Sequence, residues 1–455
     1  MIKPAFSIKN DLYPVIKLAA PLALTGIIQS SAFFFETVFF AHVSKEVLAA
    51  GALVTWLFGV LATLGFGTLS SINVLISHKY GAKDHDGISH VVRDGLLLAL
   101  LLTIPAVLLF WNIAPIFLFF GQNHSVVLLA QSYLHALTWG ILPFFIMFAL
   151  LDFIVGLGHA KTIMVFNIIS GILIIFFSFV LIFGKFSMPT LGIAGAGWGM
   201  TISYWIIVIT LVAYILMNKD YKIYFRHIFN FSKASYLPKL VRVGFPMGAM
   251  YCVEVSFFFT LSLLMGSLSS EFLAANQIAL QYMGTIMEIA FRTATAVTVR
   301  MGHFLGENKI AAAARAGYAG VFISLFIMML FAICYWLFPS ILISIDFDIH
   351  NPHNDKIIRT IEQLFAISAL FQILEAVRIS FFGALRALSD TTFTLITSII
   401  SFWCIAFPIG YWLAIPLRLG GQGLWWGMVM GAGVGASLLF WRYTIKIQDC
   451  YKIQN

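Results

Sequence analysis

The chain has 455 residues, of which 61% are hydrophobic and only 10% are charged; its mean hydropathy is +0.95. Soluble domains carry roughly 25% charged residues, so this composition excludes a soluble enzyme, a soluble nucleic-acid-binding protein and a disordered chain. The net charge of +8 does not indicate nucleic acid, because the basic residues lie where membrane topology places them. We therefore predict an all-α, polytopic membrane protein.

A membrane-spanning helix needs about 20 predominantly apolar residues, and apolar segments of at least that length occur twelve times along the chain. Twelve such segments connected by short loops predict twelve transmembrane helices. The predicted spans are residues 13–42, 47–77, 93–120, 125–156, 160–184, 192–218, 236–268, 274–304, 312–345, 357–386, 391–415 and 421–447.

The Lys and Arg residues are distributed unequally between the two sides of these spans. Twenty of the 27 fall on the side that holds both termini, and five fall on the other. Cytoplasmic loops carry an excess of Lys and Arg, so we expect both termini in the cytoplasm. The longest basic loop, residues 219–239, is predicted to be a cytoplasmic linker between an N-terminal six-helix lobe (1–218) and a C-terminal six-helix lobe (240–455).

The two predicted lobes repeat each other in sequence. When the second half is superposed on the first at one fixed offset, Pro21 aligns with Pro246 and the segment 44–50 aligns with 269–275. At a slightly larger offset near the ends of the lobes, Gly192 aligns with Gly420. Six spans per repeat conserve orientation, so we expect a pseudo-two-fold axis along the membrane normal, which is typical of transporters with a central cavity.

Several of these segments resemble the multidrug and toxic compound extrusion (MATE) family of transporters, particularly its bacterial NorM-like branch. The resemblance extends from about residue 14 to residue 440, and no single motif carries it. Its marks are Ala20-Pro21, Phe35-Glu36-Thr37-Val38, Gly184 to Gly195, Gly244-Phe-Pro246, Glu254-Val255, Ala275 to Leu280, Ala296 to Glu307, Gly383-Ala-Leu-Arg386 and Asp390-Thr391.

Acidic residues at membrane depth are costly, by about 2.5–3.5 kcal/mol on insertion scales, and are functional candidates for that reason. Five acids meet this description: Glu36, Asp152, Glu254, Glu288 and Glu375. Asp152 is expected to reach water near the end of its span. The spacing of Glu288 and Arg292 permits an ion pair, and Glu375 can pair in the same way with Arg378. Glu36 and Glu254 have no basic residue within two turns of their own helices.

The family carries acidic residues at the positions that match Glu36, Glu254 and Glu375. The resemblance therefore implies that these three carboxylates bind a coupling ion, Na+ or H+, or contact substrate. By rough alignment, Ile174 and Ser178 replace family Asn residues, which leaves Glu36 with few inherited partners. We further assign to the substrate cavity Gln29, Tyr251, Phe258, Gln277, Gln281, Phe371 and Arg378.

The function predicted from this resemblance is a cation-coupled antiporter that exports amphipathic, mainly cationic organic compounds. We expect a monomer in the bacterial inner membrane that has no enzymatic activity, no cofactor and no nucleic-acid partner. The mixture of His and Asp at residues 346–355 is interpreted as a solvated loop and not as a metal site. The alternatives are a lipid-linked oligosaccharide flippase of a related branch and, in a different class, a membrane-embedded transferase or a channel.

Overall fold

The computed structural model describes residues 11–225, 235–345 and 355–454, and it describes no side chains for residues 27–33 and 453–454. Within these ranges every regular element is a helix. The α-helices are α1 Tyr13–Val43, α2 Lys45–Leu69, α3 Ser71–Gly81, α4 His85–Trp111, α5 Ala114–Phe119, α6 His124–Gly156, α7 Ala160–Phe183, α8 Ile193–Met217, α9 Lys219–Lys222, α10 Leu237–Leu268, α11 Ser270–Gly306, α12 Ile310–Leu337, α13 Pro339–Ile343, α14 Asp355–Ala387, α15 Thr391–Ser398, α16 Phe407–Ala414 and α17 Gly421–Gln454. A π-helix, Ile399–Ala406, joins α15 to α16, and a 3₁₀ turn, Ile223–Phe225, follows α9.

The all-helical membrane fold predicted from composition is confirmed, because each predicted span coincides with one helix or with a continuous series of helices. Among the described residues, ten helical segments are long and apolar enough to cross a membrane. Helix α11 is also long, at 37 residues, but it is less apolar and is not one of the ten. It carries Glu288 and Arg292 together with several amide side chains, which lower its hydropathy.

The sequence repeat has a structural counterpart in the helix caps. Ser44 ends α1 and starts α2, and its hydroxyl accepts a hydrogen bond from the Val47 amide at 3.2 Å. Ser269, at the equivalent position, accepts one from the Phe272 amide at 3.0 Å. An N-cap hydroxyl satisfies a backbone N–H that the first helical turn leaves without a partner. The shared register of segments 44–50 and 269–275 therefore marks the same helix start in both repeats.

Two further pairs of equivalent positions have positive φ values. Lys83 and Asn308, which the repeat aligns with each other, have φ values of 56° and 58° in the turns after α3 and α11. Gly192 and Gly420 have φ values of 55° and 57° at the start of α8 and α17. Glycine adopts this region without steric cost, which accounts for the repeated glycine.

The chain divides into two compact units, which we call unit N (Leu24–Gly248) and unit C (Met1–Ala23 with Ala249–Asn455). This division departs from the predicted lobes 1–218 and 240–455. The first part of α10 packs within unit N, where the backbone of Thr68 approaches Gly244 so closely that a Cβ atom would not fit. The start of α1 belongs to unit C, where Asp11 forms an ion pair with Arg315 at 3.3 Å.

The two boundaries are related by the repeat. One falls after Ala23 and the other after Gly248, and the offset that aligns Pro21 with Pro246 also aligns these two positions. Each boundary lies shortly beyond a proline inside a helix, Pro21 in α1 and Pro246 in α10. In each repeat, the half-helix before the boundary therefore belongs to the unit that is made mainly of the other repeat.

Candidate functional site

A buried cluster in unit C joins two of the predicted acids. Glu254 lies on α10, and Glu375 and Arg378 lie one turn apart on α14. Nη2 of Arg378 lies 2.8 Å from Oε1 of Glu254 and also contacts Oε1 of Glu375. Nε of Arg378 donates to Oε2 of Glu375 at 2.8 Å. One guanidinium thus bridges both carboxylates, and its side chain is only 1% exposed.

Ser398 closes this cluster from the end of α15. Its hydroxyl donates to Oε1 of Glu254 at 2.9 Å and accepts from Nη1 of Arg378 at 3.0 Å. The next residue starts the π-helix Ile399–Ala406, whose Phe402 ring lies 5.0 Å from the guanidinium carbon. Turns of π-helix occur frequently at functional sites, and here the irregular turn adjoins the cluster.

Additional polar side chains are buried on the elements that build the cluster. The amide of Gln372 has no hydrogen-bond partner on either atom within the described part of the chain, and the hydroxyls of Thr397 and Ser401 have none there either. Ser401 and the Cδ atom of Arg378 both lie so close to Gly435 that a Cβ atom there would clash with them. Buried polar groups normally have partners, so this part of unit C retains unused hydrogen-bonding capacity.

Glu36, the third predicted acid, lies on α1 in unit N and has a different environment. Ser178 on α7 donates to its Oε1 at 3.0 Å, and the hydroxyl of Tyr133 on α6, which donates to Met200 Sδ at 3.6 Å, also lies near it. Glu36 is 2% exposed. No ion pair to Glu36 occurs among the residues that the structure describes. Its carboxylate is therefore solvated by hydroxyl groups, without a counter-charge from that part of the chain.

A cavity of about 230 Å³ opens in unit N beside these residues. It is mainly apolar, and its polar lining comes from Thr63, Asn167, Ser170 and Tyr204. The neutral phenol of Tyr204 also lies near Glu36. Ile174, one of the two positions that depart from the family's Asn residues, lines the cavity, whereas Ser178, the other, contacts Glu36. The remaining lining residues are Phe58, Gly59, Ala62, Phe144, Met147, Phe148, Gly171 and Met200.

The residues assigned to a substrate cavity do not all gather at one place. Phe371 is fully buried in the core of unit C, and Phe258 packs against Phe402 with ring centroids 6.0 Å apart. Tyr251 packs against the rings of Phe291 and Phe382. Gln277 and Gln281 are exposed along α11. The side chain of Gln29 lies outside the described residues, as does nearly all of the 346–355 loop.

Two of the other acids also have defined partners. Asp152 is buried, and its Oδ1 accepts from Asn73 Nδ2 at 2.7 Å; the expectation that it reaches water at the end of its span is therefore wrong. Glu288 and Arg292 form the ion pair that their spacing permits, at 3.2 Å, and both are partly exposed. Asp152 therefore takes part in a buried hydrogen bond and Glu288 in a partly solvated ion pair, so neither acid has the surroundings of the three acids described above.

Sequence reasoning did not identify several polar residues near these sites. The predicted cavity residues include Gln277 but not its neighbour Asn276, whose Oδ1 accepts from Trp425 Nε1 at 3.0 Å and whose amide nitrogen donates to Ser262 Oγ. Ser398 and Tyr133 were also missed. A single Ser or Tyr in an apolar helix carries no signal by itself, because its partner lies on a helix far away in sequence.

Comparison with known proteins gives concordant results. The MatE family profile matches residues 21–180 and 246–412. The chain is 29% identical to a probable multidrug resistance protein NorM of Pseudomonas putida over 96% of this chain and 95% of the relative. It is 31% identical to a probable multidrug resistance protein NorM of Burkholderia mallei, over 94% of this chain and 92% of the relative.

The fold is similar to that of a solved MATE protein in its bent conformation. The TM-score is 0.88 at 19% identity, and the match covers 97% of this chain and 96% of the other. The two profile matches begin at Pro21 and Pro246, and each covers most of one sequence repeat. The chain belongs to the MatE family, and it is a membrane transporter and not an enzyme.

Proposed function

We propose that this protein is a cation-coupled antiporter that exports amphipathic, mainly cationic organic compounds, and that Glu36, Glu254 and Glu375 bind the coupling ion, H+ or Na+. The observation that carries the proposal is the burial of these three carboxylates on helices that we predict to span the membrane. The relatives named as multidrug resistance proteins support the export of several compounds.

A charge buried away from water is costly. A carboxylate without water needs a proton, a metal cation or a cationic substrate to neutralise it. When the ion and the drug compete for the same group, ion entry from outside releases the drug and drug entry from inside releases the ion. A tenfold ion gradient supplies about 1.4 kcal/mol, and each net charge that crosses 100 mV adds about 2.3 kcal/mol.

The distribution of basic residues supports an orientation with both termini in the cytoplasm. With bacterial relatives, this favours a multi-pass protein of the inner membrane. We further propose that one chain is sufficient for transport, since each unit carries its own buried acid. Cysteine labelling from outside near Lys45 and Asn123, but not near Lys83 and Lys309, tests this orientation.

The flippase alternative has less support. An anionic lipid-linked pyrophosphate needs several basic side chains that are available to bind it. The two basic residues expected at depth, Arg292 and Arg378, are both engaged by carboxylates. These contacts favour a cationic substrate over an anionic one.

Transport of ethidium into proteoliposomes, with Na+ and pH gradients imposed independently, tests the proposed function. We expect uptake against the ethidium gradient when one of the two ion gradients is present, and collapse of this uptake when that gradient is dissipated. Uptake that ignores both gradients would refute cation coupling. Protein-free vesicles and vesicles with a Glu36→Gln/Glu254→Gln variant are the controls.

A further inference from the structure

The cluster in unit C contains one basic and two acidic groups. With all three ionised, its formal charge is −1, not the −2 of two acids. Arg378 uses Nε and Nη2 on both oxygens of Glu375, whereas Glu254 receives the guanidinium through Oε1 alone. The two carboxylates are therefore engaged unequally. Glu375 is held by a two-point contact, and Glu254 keeps Oε2 without a hydrogen bond from any described residue.

The guanidinium is fixed on its other sides as well. Nη1 donates to Ser398, the Phe402 ring covers it at 5.0 Å, and Gly435 leaves room for the side chain only because it has no Cβ. An Arg fork held by two bonds to one carboxylate is geometrically specific. The position between the two acids is thus occupied by a cation that belongs to the chain.

We propose that Arg378 is the built-in counter-cation of this acid pair. Its guanidinium occupies the place where two facing carboxylates would otherwise bind a free cation, and it binds Glu375 permanently. Glu254 is then the exchanging carboxylate of unit C, and it takes one monovalent cation at a time. This inference rests on the proposed coupling role of Glu254, and it changes the proposed role of Glu375 from binding the ion to holding Arg378.

Removing the guanidinium tests the idea directly. Arg378→Ala leaves two buried carboxylates and a gap with the shape of a planar cation. We expect the purified variant to melt below the wild type. Added guanidinium chloride, at millimolar concentrations far below those that denature proteins, should then raise its melting temperature along a saturable curve, because a ligand that binds only the folded state stabilises it. The wild type should not respond.

Arg386→Ala is the matched control. Arg386 lies two turns further along α14, is 2% exposed and stacks on the Phe382 ring at 5.1 Å, and no described carboxylate lies within ion-pair distance of it. Its removal leaves a similar gap without an acid pair. A guanidinium response equal to that of Arg378→Ala would overturn the proposal, and so would the absence of a response in Arg378→Ala.

A second variant keeps the test decisive if Arg378→Ala does not fold. The triple substitution Glu254→Gln/Glu375→Gln/Arg378→Met removes all three charges together while nearly conserving volume. Because the proposed role of Arg378 is charge balance, we expect this variant to fold, to melt above Arg378→Met alone and to ignore guanidinium. Failure of the triple variant to fold, with Glu254→Gln/Glu375→Gln folding normally, would show that Arg378 is needed for another reason.

The two proposals fail in different experiments. Melting in detergent needs no transport, so a saturable guanidinium response would stand even if ethidium uptake proved independent of ion gradients. Conversely, ion-driven uptake by the wild type combined with no guanidinium response would leave the transporter function intact and remove the role of Arg378.

Discussion

The buried acid of unit N and the acid pair of unit C are stabilised in different ways. Glu36 meets the hydroxyls of Ser178 and Tyr133, whereas Glu254 and Glu375 share a guanidinium. A hydroxyl stabilises a charge without cancelling it, but a guanidinium cancels one charge of the pair. The repeat has therefore been retained in helices and caps while the chemistry of its two halves has diverged.

The largest expected effect comes from neutralising each exchanging acid in turn. Glu36→Gln and Glu254→Gln should both fold, because Gln nearly conserves shape, and both should lose gradient-driven ethidium uptake to the level of protein-free vesicles. Drug binding in detergent should weaken in Glu254→Gln without being abolished, because the variant removes one carboxylate for which ion and drug compete and leaves Glu36 in place. Binding and uptake are measured on the same preparations.

Glu288→Gln is the control for this pair of variants, because Glu288 is a partly exposed acid that already pairs with Arg292. It should retain uptake. Wild-type uptake by Glu254→Gln would remove unit C from coupling and leave Glu36 as the coupling acid. Wild-type uptake by Glu36→Gln would remove unit N from coupling and leave Glu254 as the coupling acid.

The second prediction compares the two hydroxyl donors. Ser178→Ala removes a hydrogen bond to the charged Glu36. A hydrogen bond of this kind is worth about 1.5–3 kcal/mol, so its loss should change the affinity of Glu36 for the coupling ion roughly ten- to a hundredfold. Ser398→Ala should have a smaller effect, since Arg378 still contacts Glu254. The half-saturating ion concentration for uptake is the measurement. A larger effect of Ser398→Ala would show that hydroxyls dominate at both sites.

The third prediction concerns the prolines near the two unit boundaries. Proline in a helix interior removes one backbone hydrogen bond and permits a bend. Pro21→Ala and Pro246→Ala restore that bond, so we expect each to slow turnover by a few-fold and to change drug affinity little. Turnover in proteoliposomes and ethidium affinity in detergent separate the two quantities. Unchanged turnover in both folded variants would reduce these prolines to inherited structure.

The smallest expected effect should be equal in the two repeats. Ser44→Ala and Ser269→Ala each remove an N-cap hydroxyl, a change that costs about 1 kcal/mol of stability. Thermal melting should show similar small decreases for both variants, with ion-driven uptake retained. Unequal decreases would show that the two units differ in the stability of these helix starts as well as in their buried acids.

The sequence predicts the helices and the acids well because both depend on local signals. A long apolar run needs no partner to be recognised, and Glu36 stands out because charge is rare at that depth. The bridge from Arg378 to Glu254 could not be predicted in the same way. It joins α14 to α10, which are far apart in the chain, and the local spacing indicated only the Glu375 pairing.

Other contacts depend on irregular geometry that the residue pattern does not encode. Phe402 lies within the π-helix that starts after Ser398, so the spacing of a regular α-helix cannot place its ring beside the cluster in advance. Asp152 was expected in water because it is near a span end, yet Asn73 on another helix buries it. In each case the decisive partner is distant in sequence.

The grouping of residues 13–23 with unit C, and of the start of α10 with unit N, also bears on how such a chain can arise. A gene that encoded one repeat alone would produce a polypeptide whose first half-helix had no site within its own fold. Two copies would each give the other's first half-helix a place to pack by exchanging these half-helices, as in domain-swapped dimers. Fusion of the two genes through a basic linker would then make this exchange permanent, and each copy would be free to acquire a different buried acid.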